Sequence, residues 1–306
     1  MGRMTGRLIA AALAGCATPS IAQQAAPGAA PAPASPPAGD TVVVTGRTVP
    51  NAAKVRALAR AITPAVGWDE PLARFTDPVC FGTTGLPRPM LEALGARLAD
   101  NAVAAGVPLA GDGCRANILL MVVDDGHATL KELLRKKPWL FAGLELSEIR
   151  AIIDEPGPAH VWTSSEIRSR DGDRAFVDTN GVSHLSVPIA SRVVLPTRRD
   201  ILASIILIDR KAVIGRSLNQ LADYAAMRTL ATVRPKGATG GDTILTLFDP
   251  GTAAPPAAMT GFDRGYLKAL YEGAGNLRIN TKIGQITREV VRNGPAAPSG
   301  PPPPKP

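Results

Sequence analysis

"IILIDRKAVIGRSLNQLADYAAMRTLA", residues 205–231, decides the fold class. Its first half is a run of β-branched and aliphatic residues, the mark of a strand covered on both faces. Gly215 then supplies a turn, and Ser217 stands where a helix N-cap belongs. From there Leu218, Leu221, Ala222, Ala225 and Leu230 recur at helical spacing. A buried strand feeding a helix over 217–231 means that sheet and helix share one core.

The chain on either side extends this reading. "ANILLMVVDD" (116–125) is a second nearly continuous apolar run and predicts another central strand. Asp125 is placed to cap "GHATLKELLRKK", and Ser147 to open "SEIRAIIDE", which stops before Pro156. "NAAKVRALARAI", with Asn51 as N-cap, predicts a helix. "PMLEALGARLADNAVAAG" predicts another, with Met90, Leu91, Leu94, Leu98 and Ala102 on one face and Gly106 at its end. "FTDPVCFGTTGLPRP" (75–89) reads as loop. "AHVWTSSEIRS", "RAFVDT", "SHLSVPIASRVVLP" and "DILASIILIDR" read as a meander or hairpin sheet. "DRGYLKALYEG" and "TKIGQITREVV" return to helix. The expected class is α+β or mixed α/β, with helices around a central mixed sheet and an all-helical C-terminal part.

The N-terminus points to export. "MGRMTGR" is basic and "LIAAALAG" is apolar but too short to span a bilayer. Ser20 and Ala22 suit signal-peptidase cleavage before Gln23, giving a signal peptide over 1–22. "LAGC" at 13–16 resembles a lipobox, which would instead end the signal at 15 and acylate Cys16. Both schemes stand. They place the protein in the periplasm, on the outer membrane as a lipoprotein, or free as a secreted chain, with any membrane contact made through the lipid on Cys16. Either cut leaves Cys80 and Cys114, an even pair that an oxidising compartment would join. Residues 23–39, "QQAAPGAAPAPASPPAG", and 294–306, "GPAAPSGPPPPKP", are Pro-rich and nearly uncharged, so they predict an extended linker and a disordered tail. A single globular domain is expected over 40–293.

"DTVVVTGR" (40–47) reads as a short strand. It also resembles the energy-coupling box of outer-membrane receptors, which would make it a docking segment for an envelope protein. Net charge is +8, yet the basic residues are scattered and aromatics are only 4%. The densest clusters, "LRKKP" and "PTRRD", are short, so a nucleic-acid partner is not expected.

In zinc metalloproteases a strand likewise precedes a helix bearing H-E-x-x-H, which puts two imidazoles on one face and a general base between them. Here the stretch reads Asn219-Gln220-Leu221-Ala222-Asp223. Asn219 offers a weak amide oxygen, Gln220 cannot take a proton from water, and Asp223 alone would be a good ligand. Two readings stand. Asn219, Gln220 and Asp223 face solvent on a structural helix, or together with Tyr224 they line a cleft.

"DTILTLFDPG", "MTGFDRGYLKALYEG" and "IGQITREVV" further resemble an uncharacterised family of exported proteobacterial proteins labelled as lipoproteins, whose domain looks like a degenerate zincin. The likeness covers about Ser204 to Arg292 and is strongest at Asp242, Ile244, Phe248, Asp263, Leu267, Leu270 and Tyr271. It departs from the family at the start of the decisive helix, where an acidic and Thr-Gln pattern is missing. The resemblance implies a fold and transfers no activity.

Other chemistry is thin. No G-x-S-x-G elbow, P-loop or Rossmann fingerprint occurs, so no cofactor is expected. "GATGG" (237–241) lacks the Lys of a phosphate cradle. Asp124, Asp125 and His127 offer a cation site, against a strand end and a helix cap as the alternative. His160 and His184 fall in expected strands and could meet across a sheet. Ser164 and Ser165 sit in a strand, a poor setting for a nucleophile. The leading expectation is a non-catalytic domain that binds a partner or peptide. The alternative is a hydrolase drawing Asp223 together with His127 or His184.

Overall fold

The computed structural model describes residues 51–293 apart from 65, 66, 68, 69, 188–193 and 239, all within the unit Gly46–Pro306. The expectations for residues 1–47, including Cys16 and the 40–47 segment, and for the 294–306 tail lie outside them.

The described residues form a mixed α+β fold of eight helices and a four-stranded sheet, with a separate two-stranded ribbon. β2 (Ile118–Val123) and β6 (Thr197–Asp209) are the two apolar runs, and they pair in parallel at the centre. β1 (Phe81–Thr84) joins β2 in parallel, and β3 (Ala159–Ser169) closes the other edge antiparallel to β6, giving the order β1-β2-β6-β3.

Both central strands send alternate residues into two cores, as the pleat requires. Ile118, Leu120, Val122, Ile206 and Ile208 enter the larger core. There they meet α1 (Ala52–Ile62), α2 (Arg88–Ala105), α6 (Leu218–Leu230), α7 (Gly261–Tyr271) and α8 (Ile279–Arg292). Leu119, Met121, Val123, Ile205 and Leu207 enter the smaller core. It is built by α3 (Gly126–Lys136), α4 (Leu146–Ile153) and the 3-10 turn Pro138–Phe141, with Phe141 stacked on Trp162 at 4.8 Å. After β6 and the short α5 (Arg210–Val213) every named element among the described residues is a helix, with loops between them.

The helix boundaries follow local chemistry. Asn51, Asp125, Ser217 and Thr260 each accept backbone N–H groups of the helix they precede. Gly106, at φ 85°, ends α2 in the left-handed conformation. α7 and α8 approach so closely that a Cβ on Gly265 would stand 2.7 Å from Val290 Cγ2.

Two expectations are corrected. The 75–89 stretch is not all loop, because Phe81–Thr84 is β1. The strand needs no apolar alternation of its own, since Asn117 anchors it: its Oδ1 accepts the Cys80 N–H at 2.8 Å and its own N–H donates to the Cys80 carbonyl at 3.0 Å. The Cys80–Cys114 disulfide ties the same strand start to the loop before β2. The middle of the chain is not a meander either, although its residues 176–184 do form a hairpin. β6 lies between β2 and β3, while Phe176–Val177 (β4) pairs only with Ser183–His184 (β5) in the small ribbon.

Candidate functional site

α6 runs across the larger core and is enclosed on every side: each residue from Leu221 to Leu230 is buried. That placement decides the fate of its polar positions. Asn219 is exposed. Gln220 completes the capping box with Ser217 and donates from Nε2 to the Pro256 carbonyl at 2.8 Å. Asp223 is wholly buried, and both its oxygens are engaged. Arg97 of α2 donates from Nε at 2.8 Å and Nη2 at 3.0 Å, Asn101 from Nδ2 at 2.8 Å, and the Met259 amide at 2.6 Å. Burial alone would push this carboxyl up, but the hydrogen bonds from Arg97, Asn101 and Met259 outweigh it and hold it below its usual value. Tyr224 packs elsewhere, edge-on to Phe248 at 4.9 Å.

The four residues therefore do not line one cleft, and Asp223 does not face solvent. α2 and the segment before α7 seal the first turns of the helix, leaving only Tyr224 beside a cavity.

The remaining candidates are also dispersed. Asp124 pairs with Arg210 at 2.7 Å and Asp125 caps α3. The His127 ring lies 5.9 Å from that of His160, which is buried on β3. His184 does not meet His160; it sits on the ribbon against Asp178 at 2.9 Å. Asp223 is not brought to His127 or His184, because Arg97 holds it. Among the described residues no three His, Cys, Asp or Glu side chains gather as a metal site. Ser164 and Ser165 mark a register shift in β3.

Two adjoining concavities lie at the other end of α6. A groove of about 390 Å³ runs beside β3 and is lined by Val161, Thr163, Arg199, Arg228, Thr232 and Arg234 among others. A second cavity, of about 700 Å³, adjoins it, with Tyr224, Ala238, Leu245 and Phe248 among its walls. Glu155 and Arg234 line both.

Arg228 forms part of the groove's floor and is only 1% exposed. Its Nη2 donates to both Glu155 oxygens, at 2.7 and 2.9 Å, and its Nη1 to the Tyr224 hydroxyl at 2.7 Å. Burial pulls the guanidinium down, but Tyr224 and Glu155 more than reverse it, so Arg228 stays charged. Burial pushes the Tyr224 hydroxyl up, so it stays protonated. Thr232 nearby adopts φ 53°, a conformation strained for a β-branched residue.

β3 presents its free edge to the groove. Asp209 N–H donates to the Pro158 carbonyl at 2.9 Å, which fixes the phase of the antiparallel ladder. Residues 158, 160 and 162 then bond toward β6, while the N–H and C=O of Val161 and Thr163 point away from it. Among the described residues none of these four groups has a backbone partner.

Comparison with known proteins gives no match: no family model, curated protein or solved structure is similar to this chain.

Glu155, Arg228, Arg234 and the edge of β3 were not singled out from the sequence. One signal for them was present. Arg228 interrupts a run that is otherwise apolar or small, and a charge inside a buried helix requires a counter-charge.

Proposed function

We propose that this is an exported, envelope-associated protein. Its globular unit binds an extended segment of a protein partner by strand addition to β3, without turning it over. The observation that carries this reading is the outward N–H and C=O of Val161 and Thr163, four main-chain groups without a backbone partner among the described residues, displayed beside a groove. An extended peptide there would supply the missing hydrogen bonds, and flanking pockets would select its side chains. A free edge set in a groove is shielded from indiscriminate pairing, as a specific binding edge needs to be.

The scaffold reading is a degenerate zincin. It is supported by β6 passing through a turn into α6 and by the Asn219-Gln220-Leu221-Ala222-Asp223 spacing on that helix. Export is supported by the basic and apolar leader, with cleavage before Cys16 or before Gln23. The Cys80–Cys114 bridge fits an oxidising compartment. No helix among the described residues is long and apolar enough to cross a membrane. A lipid on Cys16 would be the membrane attachment, and residues 40–47 a second contact with an envelope protein.

The test uses Val161→Pro. Its N–H points away from β6, so proline removes one outward donor and spares the ladder, as edge positions tolerate. A phage-displayed library of random linear peptides should yield binders to the wild-type chain that Val161→Pro loses while melting unchanged. Failure to select any binder, or undiminished binding by Val161→Pro, would overturn the reading.

A further inference from the structure

We infer that the end of α3 and the 3-10 turn after it form a direct membrane contact for an anionic phospholipid surface. Arg135, Lys136 and Lys137 meet the headgroups, and Trp139 sits at their boundary with the acyl chains. This stands apart from the strand-addition reading and from any lipid on Cys16.

Over residues 131–139, "KELLRKKPW", four basic residues stand against one acid. α3 turns its apolar side inward, with Leu130 buried in the smaller core and Leu133 and Leu134 packed against it. Lys131, Arg135, Lys136 and Lys137 are left exposed. Glu132, the one acid, is held by Lys136. The next acids along the chain, Glu145 and Glu148, come past the turn, at the start of α4. Basic residues in a last helical turn also complement the helix dipole, but that role does not account for the residue displayed beside them.

That residue is Trp139. Its turn is pinned to the smaller core: the Leu140 carbonyl accepts the Trp162 indole N–H at 3.1 Å, and the buried Phe141 stacks on the same indole. The Ala142 N–H donates to the Trp139 carbonyl at 3.3 Å. With its neighbours so committed, Trp139 itself is 67% exposed. An indole is mostly apolar with one N–H donor, which suits the layer where headgroups give way to acyl chains. Lysine and arginine beside it keep their charges among lipid phosphates while their stems lie along that layer. Each basic residue near an anionic surface strengthens binding about fivefold, within a reach of about 8–10 Å at ordinary salt. A second copy of this chain fits less well, because a two-fold contact would set like charges against each other. Gly143 and Leu144, which follow the turn, line the groove beside β3, so this contact holds the groove near the bilayer.

The experiment takes the full chain with Cys16→Ser, so that no acyl group contributes, and floats it with vesicles. One set is phosphatidylethanolamine with phosphatidylglycerol, the other phosphatidylcholine alone. The chain should bind the anionic set in preference, and less tightly as salt rises. Arg135→Gln with Lys137→Gln changes two exposed side chains; this double variant should melt as the parent does and bind about tenfold more weakly. Trp139→Phe should keep most of the binding, yet quenching of tryptophan fluorescence by brominated lipid should fall, since Trp162 is buried. All these chains share one N-terminus, so the leader cannot account for a difference between them. No binding, equal binding to both vesicle sets, a double variant that binds like the parent, or quenching undiminished in Trp139→Phe would overturn the inference. So would equal binding of soluble polyglutamate with no quenching by lipid, which would assign the cluster to an acidic protein.

Discussion

Replacing Asp223 by Asn separates a structural carboxylate from a functional one. The wild-type side chain is 0% exposed and takes four hydrogen bonds, two from Arg97 and one each from Asn101 and the Met259 amide. An amide keeps one acceptor oxygen and turns an NH2 toward the remaining donors. Arg97, whose side chain is 34% exposed, can rotate toward water, but Asn101 and the Met259 amide are buried with nowhere to go. Removing one partner of a buried pair costs about 3–5 kcal/mol, and the unmet donors are part of that figure rather than additional to it. Against a typical domain stability of about 5–15 kcal/mol this is severe. The acid profile supplies a second check. The folded-state pKa of Asp223 lies below its ordinary value, so its stabilisation is complete above the ordinary carboxylate pKa and disappears as pH falls through the lowered one. Urea unfolding of both proteins at pH 7 should show the full gap, and the gap should narrow toward pH 3 and below. A difference under about 1 kcal/mol at pH 7, or one that does not change with pH, would refute the reasoning.

The other predictions concern the frame around the site. Reducing the Cys80–Cys114 bridge, or replacing both cysteines by Ala, releases a loop of sequence separation 34 and should cost about 3–4 kcal/mol in urea unfolding; a loss under about 1 kcal/mol would contradict it. Lys282 is 3% exposed and donates to the carbonyls of Ala269 and Glu272, with its ammonium pushed down to about 8 by burial and then by Arg74, Glu272 pulling the other way. Because its folded pKa is below the unfolded one, its charge destabilises the fold at lower pH, and stability should rise from pH 8 toward 10, a trend absent in Lys282→Met. The window stops near pH 10 because Tyr266, pushed up to about 12, resists ionisation in the fold and lowers stability beyond that point.

What the sequence disclosed was what local chemistry controls. The two apolar runs became β2 and β6, and Asn51, Asp125 and Ser217 capped the helices they precede. Two cysteines at the right parity became a bridge. What stayed hidden depended on distant partners. β1 is held by Asn117 rather than by its own pattern. Asp223 reads as a surface or ligand residue until Arg97, 126 positions away, is found against it. His160 was open to a meeting with His184, but the two were sent to different sheets, and His160 lies against His127 instead.

This division also explains why the groove is at one end of α6 and not the other. The helix carries polar side chains at both ends, and the fold treats them differently. At the start, Gln220 closes a cap and Asp223 clamps α2 and the Met259 segment, so a ligand there would have to draw Asp223 away from four donors. That costs several kcal/mol, about the value of a buried pair, and the exposed Asn219 offers nothing comparable in return. At the far end, Arg228 is satisfied by Glu155 and Tyr224 through its two terminal nitrogens but not through Nε. A strand added to β3, as proposed, would bond the outward N–H and C=O of Val161 and Thr163, which have no backbone partner among the described residues, and would leave the hydrogen bonds of Arg228 in place. The two ends therefore differ in sign: occupation of the first breaks native contacts, while occupation of the second completes them. A ligand is accordingly expected beside β3, while Gln220 and Asp223 hold the scaffold in place behind it.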